Sequence, residues 1–135
     1  MLAYLLDTDT VSFIIRGQGP AASRLTAHQP SEVCMSALTL AELRFGAERR
    51  HSRKLHGIID TFAQSIQVMP FDDACAAAYG RIQSSLESKG TPIGTIDTLI
   101  AAHAFALNIT LISNNQKHFS KVRGLKIANW SEGAG

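Results

Sequence analysis

The chain alternates short apolar runs with longer segments in which apolar residues recur every three or four positions. Runs of the first kind are typical of buried strands, and segments of the second kind are typical of helices with one buried face. Strands are predicted over residues 3–7, 33–36, 68–69, 110–113 and 126–129. Helices are predicted over residues 8–16, 21–28, 38–49, 55–66, 72–89 and 95–107, with a loop or short helix over 114–122. Thr8 or Asp9 is the predicted cap of the first helix.

Strands that are separated by helices predict a parallel sheet covered on both faces. The chain has 135 residues, the size of one domain, and contains no linker, repeat or low-complexity tract. The prediction is therefore one domain over residues 1–135, of the α/β class. It should have three layers, α/β/α, around a central, mainly parallel sheet.

The composition excludes several classes of protein. The chain is 45% hydrophobic and 18% charged, which argues against disorder. Its net charge of +2 is compatible with nucleic-acid binding but is too small to establish it. No apolar run is long enough to predict a membrane span, and Asp7 interrupts the segment where a secretory signal would need apolar residues. Cys34 and Cys75 lie in apolar runs, as buried thiols do in a reducing compartment, so a cytoplasmic location is expected.

Three carboxylates stand at the edges of apolar elements. Asp7 ends the first strand, Glu42 interrupts an apolar helix, and Asp97 opens another. Burying a lone carboxylate costs several kcal/mol unless a cation or a proton compensates it. Taken singly, Asp7 or Asp97 could be an ordinary acid at a helix N-terminus, and Glu42 could be partly exposed. Taken together, they suggest a metal ion.

The predicted topology can bring these acids to one edge of the sheet, because ligands of open α/β folds bind beyond the carboxyl ends of the strands. Asn114 and Asn115 follow a strand at the same edge. Two carboxylates at 4 Å repel by about 4 kcal/mol at an effective dielectric of about 20, and a divalent cation removes that cost. A set of oxygen ligands favours Mg²⁺ or Mn²⁺ over Zn²⁺. Water bound to such an ion can become a nucleophile for phosphodiester cleavage.

Four motifs occur in a fixed order along the chain. They are residues 5–9, Ser36 with residues 41–46, residues 94–104, and residues 111–115 followed by Phe119, Val122, Gly124 and Leu125. At these motifs the sequence resembles the PIN-domain ribonucleases, and closely resembles the VapC toxins of bacterial toxin–antitoxin pairs. The resemblance covers essentially the whole chain. It implies a metal-dependent endoribonuclease, a hydrolase that cleaves RNA phosphodiester bonds with bound Mg²⁺ or Mn²⁺.

The resemblance also assigns roles to individual residues. It implies that Asp7, Glu42 and Asp97 are catalytic acids that bind the metal ion. Asn115 stands where many PIN domains have a fourth acid, which leaves the number of metal ions open.

Three further residues have accessory positions in the motifs. Thr8 and Ser113 match hydroxyl positions that adjust the site. Asp9 stands where the toxins commonly have Asn or Ser, and is either an outer ligand or, as favoured here, only a helix cap.

The implied partners are an RNA substrate and an antitoxin of the VapB type. Relatives of this kind cut transfer RNA in the anticodon region or ribosomal RNA, and transfer RNA is the favoured target, so that translation and growth would be inhibited. The antitoxin would cover the site with a basic side chain that faces the acids. Homodimers and toxin–antitoxin hetero-oligomers are expected. Binding to a membrane is not expected.

Basic residues offer weaker candidates for binding RNA phosphates. These candidates are Arg44, Arg49, Arg50 and Lys117, and a second basic group comprises Lys117, Lys121, Arg123 and Lys126. A solvated helix end is the favoured explanation for each of them, and contact with phosphate is the alternative. Phe45, Phe62 and Phe119 are predicted to be core residues, so that no stacking residue for RNA bases can be named. Gly46 is predicted to allow close backbone packing, and Gly94 a tight turn before Asp97.

Two other functions remain open. The segment 7–11 also resembles the first motif of haloacid-dehalogenase-type phosphatases, in which Asp7 would be a nucleophile and Asp9 a general acid. This alternative leaves Glu42 and Asp97 unexplained. The second alternative is a non-catalytic module that binds RNA or protein.

Overall fold

The central sheet has five strands, all parallel, in the order β3-β2-β1-β4-β5. The structure is a computed structural model, and it describes residues 1–131. The strands are β1 (Tyr4–Leu6), β2 (Val33–Ser36), β3 (Gln67–Met69), β4 (Thr110–Ile112) and β5 (Ile127–Ala128). The predicted parallel sheet is confirmed. Strand β2 has the predicted bounds, and the ends of the other four strands differ from the predicted ones by at most one residue.

The helices occupy the connections between strands. They are α1 (Thr8–Arg16), α2 (Ala21–Thr26), α3 (Ala37–Arg49), α4 (Arg53–Ser65), α5 (Asp73–Ser88), α6 (Thr95–Leu107) and α7 (Gln116–Phe119). A short 3₁₀ turn, Pro30–Glu32, leads into β2. Helix α2 ends at Thr26 rather than at residue 28, because the N–H of His28 donates to the carbonyl oxygen of Leu25, three residues earlier, in a turn tighter than that of an α-helix. Within residues 1–131, no helix has both the length and the apolar character needed to cross a membrane.

The sheet separates two hydrophobic cores, which accounts for the three layers. Leu5 packs with residues of α5 and α6, whereas its neighbour Leu6 packs with residues of α1 and α4. Successive side chains of a strand point to opposite faces, so adjacent leucines can belong to different cores. Both side chains are fully buried, as expected for a parallel sheet covered on both faces.

Aromatic rings fasten the end of the described chain to its beginning. The indole ring of Trp130 stacks on the imidazole ring of His28, with centroids 5.0 Å apart and planes 4° apart. The ring of Tyr4 on β1 lies 5.3 Å from the same indole. The segment after β5 is therefore anchored against the first strand.

The cap of α1 differs from the prediction. Neither Thr8 nor Asp9 caps this helix; the N-cap is Asp7, whose carboxylate accepts a hydrogen bond from the backbone N–H of Thr10 at 2.8 Å. The strand ends one residue earlier than predicted, at Leu6, so Asp7 has the extended backbone of a cap residue. The first turn of α1 is thereby fixed to the carboxyl end of β1.

Candidate functional site

Asp7 is buried, with only 6% of its surface exposed, at the carboxyl end of β1. Its backbone N–H donates to the carbonyl oxygen of Ile112 on β4 at 3.0 Å, which places it at the centre of the sheet edge. Burial raises the pKa of its carboxyl group above the usual 3.8, while hydrogen bonds from Ser113 and Thr10 oppose this rise and the charge of Asp9 adds to it. The buried carboxyl group of Asp7 is therefore costly to ionise unless a cation compensates its negative charge.

Glu42 comes to the same place from α3. The hydroxyl of Thr8 lies 2.5 Å from Oε1 of Glu42, and 3.3 Å from the hydroxyl of Thr39 one turn earlier on α3. Thr8 is the first residue of α1, so this contact joins the start of α1 to the middle of α3. The Thr8 hydroxyl therefore fixes the position of the Glu42 carboxylate.

Asp97 lies in the first turn of α6 and is partly exposed. Gly94, the N-cap residue of that helix, has φ +96° and ψ 152°, so the tight turn expected there is confirmed. Nε2 of His118 lies 3.0 Å from Oδ2 of Asp97 and 2.7 Å from the carbonyl oxygen of Ile93. Since both partners accept hydrogen bonds, Nε2 carries the proton. Partial burial raises the pKa of Asp97, with His118 opposing and Asp9 adding to the rise.

One cavity, of about 100 Å³, joins these side chains. Its lining residues are Asp7, Thr8, Asp9, Glu42, Asp97, Ile100, Asn115 and Phe119. The structure thus brings all three predicted acids together with Thr8, Asp9 and Asn115. Ser113 is buried and is not among the lining residues, but its side chain hydrogen-bonds Asp7 and its hydroxyl accepts a hydrogen bond from the N–H of Asn115 at 2.9 Å. The catalytic roles of these residues stay a prediction.

Asp9 belongs to the site rather than to the helix cap. It is exposed in the first turn of α1, lines the cavity, and raises the pKa of both Asp7 and Asp97 through its charge. The preference for Asp9 as only a helix cap was therefore wrong, because Asp7 occupies the cap position itself.

The donor chemistry of the cavity fits Mg²⁺. Within residues 1–131, no three side chains of His, Cys, Asp or Glu stand close enough to hold a metal ion directly. Mg²⁺ does not require such a cage, because it keeps several waters and uses one or two carboxylates. The described lining residues offer carboxylate, hydroxyl and amide oxygens, and neither thiol nor imidazole. A cation here would also offset the cost of ionising the buried Asp7.

The predicted RNA-binding residues are distributed unevenly. Arg44 is engaged within the chain, because its guanidinium contacts the carboxylate of Asp60 and both the ring and the carbonyl oxygen of His56. Arg49 lies over the ring of Phe45, 5.6 Å from its centroid. Because of its contacts with Asp60 and His56, the guanidinium of Arg44 is not free to bind an RNA phosphate.

Two of the predicted cations remain near the acids. Arg50 lines a groove that shares Thr8, Asp9 and Glu42 with the acidic cavity. Lys117 is exposed on α7, two residues after Asn115.

Two predictions for α3 were wrong. Phe45 is 62% exposed, because the buried face of α3 turns away from it towards Thr39, Leu43 and Ala47. No other part of the described chain packs closely against Gly46, since a Cβ built there would meet no atom within 4 Å. Gly46 instead lines the groove beside Glu42.

His118 is the site residue that the sequence interpretation missed. It follows Asn115 by three residues, which is the spacing of neighbours on a helical turn. The sequence prediction left open whether residues 114–122 form a loop or a short helix. A definite prediction of a helix would have placed His118 beside the site.

Comparison with known proteins identifies the family. The sequence profile of the PIN domain matches residues 4–125. The chain therefore belongs to the PIN-domain family.

The relatives within the family match over nearly their whole length. A tRNA(fMet)-specific endonuclease VapC of Salmonella typhimurium is 31% identical over 131 residues, covering 96% of this chain and 99% of the relative. The endonuclease of the same name from Shigella flexneri is 32% identical over 132 residues, covering 97% and 100%. Within the family, the chain is a VapC-type ribonuclease.

Solved structures agree with this placement. The DNA-bound VapBC of Salmonella typhimurium superposes with a TM-score of 0.91 at 31% identity, covering 96% of this chain and 99% of that chain. VapBC2 of Rickettsia felis, bound to a DNA fragment from its promoter, gives a TM-score of 0.87 at 31% identity with the same coverage.

Proposed function

We propose that this protein is a Mg²⁺-dependent endoribonuclease that acts as the toxin of a VapBC-type toxin–antitoxin pair. The observation that carries the proposal is the convergence of Asp7, Glu42 and Asp97, from three separate elements, on one cavity. Mn²⁺ is the alternative ion, because it prefers the same oxygen donors.

The residues of the site would hold the ion through the three carboxylates, at least one of them through water. Bound Mg²⁺ supplies a Lewis acid and lowers the pKa of water, which is the chemistry that phosphodiester hydrolysis needs. Thr10 fixes Asp7 and His118 fixes Asp97 through the hydrogen bonds described above. In the reaction, a water molecule loses a proton as its oxygen forms a bond to phosphorus, the bond to the leaving sugar oxygen breaks, and that oxygen takes up a proton.

The substitution Asp7→Asn tests the proposal. Asparagine keeps the shape of the side chain and removes the negative charge, so RNA cleavage should fall by roughly a hundredfold or more. Growth inhibition should be relieved, and EDTA should have the same effect on cleavage by the unaltered protein. Asp73→Asn is a matched control, because Asp73 is an exposed acid in the first turn of α5. Full activity and toxicity of Asp7→Asn would refute the mechanism.

The same experiment separates the two alternative functions. A non-catalytic module would bind RNA in metal-free buffer and produce no new RNA ends when Mg²⁺ is added. A phosphatase with Asp7 as nucleophile would hydrolyse a small phosphomonoester and lose this activity in Asp9→Asn. The position of Glu42 and Asp97 beside Asp7 argues against the phosphatase, in which neither has a task.

Transfer RNA is the proposed substrate, with cleavage in the anticodon region and arrest of translation. Support comes from the Salmonella and Shigella relatives, each named a tRNA(fMet)-specific endonuclease. Mapping new RNA ends after brief expression in cells tests this proposal. New ends confined to ribosomal RNA would refute it.

A VapB-type antitoxin is the proposed protein partner, in a hetero-oligomer that contains a dimer of this chain, formed in the cytoplasm. Support comes from the solved VapBC complexes and from the groove between α1, α3 and α4. The groove has Ile15, Leu43, Leu55 and Ile59 among its lining residues, and it opens on the acids. An amphipathic helix fits such a groove. Co-purification with the product of a short reading frame beside the gene tests this partner.

A further inference from the structure

A second cavity, of about 180 Å³, lies between α5, α6 and the segment that follows α7. Its wall carries three cationic side chains, Arg81, Lys121 and Arg123, and none of its described lining residues is acidic. The other lining residues are Ile82, Ser85, Leu86, Phe105 and Val122. The cavity therefore combines positive charge with an apolar wall.

The cations of this cavity have no partner within the described chain. No ion pair among residues 1–131 involves Arg81, Lys121 or Arg123, whereas Arg44 is paired with Asp60. Like charges around one cavity repel, and an anion bound between them removes the repulsion. The charge of the cavity is thus complementary to phosphate.

An aromatic ring stands beside these cations. Phe105 is 39% exposed although it belongs to the well-packed helix α6. The chain passes close to one edge of its ring at Gly124, where a Cβ would lie 3.5 Å from ring atom Cε2. Proteins that bind single-stranded nucleic acid use this combination, with cations along the backbone and exposed rings against the bases.

Helix α7 connects the second cavity with the acidic one. Asn115 lines the acidic cavity, α7 begins at the next residue, and Lys121 lines the second cavity. Lys117 lies on α7 and Lys121 follows its C-cap residue Ser120, so both cations belong to the segment that joins the two cavities. Helix α6 gives the separation of the two cavities, because Asp97 of the acidic cavity and Phe105 of the second cavity are eight residues apart on it, a rise of about 12 Å. One RNA strand of a few nucleotides can therefore reach both cavities.

We propose that the cavity of Arg81, Lys121, Arg123 and Phe105 binds a nucleotide of the RNA substrate, a few nucleotides from the bond that is cleaved. The three cations bind its phosphate, the base packs against Phe105, and Lys117 contacts the backbone in between. This inference rests on the proposed ribonuclease function. It adds a second binding site for the RNA strand, next to the acidic cavity in which cleavage would occur.

Binding of a single-stranded RNA oligonucleotide to the Asp7→Asn protein tests the proposal, because this background binds without cleaving. The combined substitutions Arg81→Gln, Lys121→Gln and Arg123→Gln should weaken binding at least tenfold. They should also reduce the slope of log affinity against log salt by about 0.7, since the three cations neutralise one phosphate and each neutralised phosphate contributes about 0.7 for single strands. Lys89→Gln is the control, because it removes an exposed cation at the end of α5 that does not line the cavity.

The aromatic contact has its own variant. Phe105→Ala should weaken binding roughly fivefold or more and leave the salt slope unchanged, because a stacked base carries no ionic contact. Phe45→Ala is the matched control, an exposed phenylalanine on another helix. Thermal unfolding of each variant checks whether the fold is retained.

Kinetics distinguish failure of this inference from failure of the proposed function. In the protein with Asp7 intact, the combined substitutions should raise KM for a long RNA and leave kcat unchanged. If that protein cleaves RNA but the combined variant shows unaltered KM, affinity and salt slope, the cavity does not bind the substrate. If the variant instead loses only its binding to the antitoxin, the cavity serves an acidic protein partner and the RNA proposal is wrong. Absence of cleavage by the unaltered protein would refute the ribonuclease function itself.

Discussion

At the scale of single residues, Asp7 has two tasks that a single substitution can separate. Its carboxylate caps α1 through the N–H of Thr10, and it also lines the acidic cavity. The first task needs only a hydrogen-bond acceptor, whereas the second needs a negative charge. Asparagine supplies the acceptor without the charge, and alanine supplies neither.

We therefore expect Asp7→Asn to be at least as stable as the unaltered protein in metal-free buffer. It keeps the cap and avoids the cost of a buried charge, which the raised pKa of Asp7 indicates. Asp7→Ala should have an unfolding free energy about 1 kcal/mol lower than that of Asp7→Asn, because both variants remove the buried charge and only alanine loses the cap. Urea titration at pH 7 measures both. Equal stability of the two variants would show that the cap contributes nothing.

His118 provides a second test at this scale, because it holds Asp97 through the proton on Nε2. His118→Leu removes that donor, and loss of such a partner behind a metal ligand typically costs about 10- to 100-fold in metal affinity or activity. The Mg²⁺ concentration needed for half-maximal cleavage should rise by a similar factor. His118→Gln places an amide donor in the same region and should restore part of the loss. Equal Mg²⁺ requirements in all three proteins would exclude the positioning role.

At the scale of elements, two glycines at helices of the site predict opposite effects of the same substitution. Gly94 has φ +96° and ψ 152°, a region that is essentially open only to glycine, so Gly94→Ala should cost about 1–3 kcal/mol. Gly46 lies inside α3 with open space where the methyl group of an alanine would stand, so Gly46→Ala should gain about 0.5–1 kcal/mol. Denaturant unfolding measures both changes. Destabilisation by Gly46→Ala would mean that the groove beside Glu42 is narrower than described.

The elements also show what the sequence could and could not predict. Periodicity places Leu5 and Leu6 on opposite faces of β1, and parallel topology brings Asp7, Glu42 and Asp97 to one edge. Periodicity does not specify which side chain meets which across a helix pair. The pairing of Arg44 with Asp60 and the exposure of Phe45 depend on the rotation of α3 against α4, which a few residues decide. His118 was missed for a different reason: residues 114–122 were predicted only as a loop or short helix, whereas α7 brings His118 to Asp97.

At the scale of the whole molecule, the site should make stability depend on pH. The pKa values of Asp7 and Asp97 are raised above 3.8, so the folded chain binds more protons than the unfolded chain just above that pH. Their contribution to stability is therefore complete below pH 3.8 and is lost as the pH rises through the raised values. Asp7→Asn should show a smaller fall over this range than the unaltered protein. Unfolding titrations at a series of pH values in EDTA measure the difference, and identical slopes would contradict it.

The packing of Trp130 has a practical consequence for all of these measurements. The chain contains one tryptophan, and its indole stacks on His28 beside Tyr4. Unfolding must separate these rings and expose the indole to water, so the intrinsic fluorescence of the protein should report global unfolding without any label. Trp130 is not among the residues that line the acidic or the basic cavity. One native chromophore can thus follow the stability of every variant while leaving its chemistry untouched.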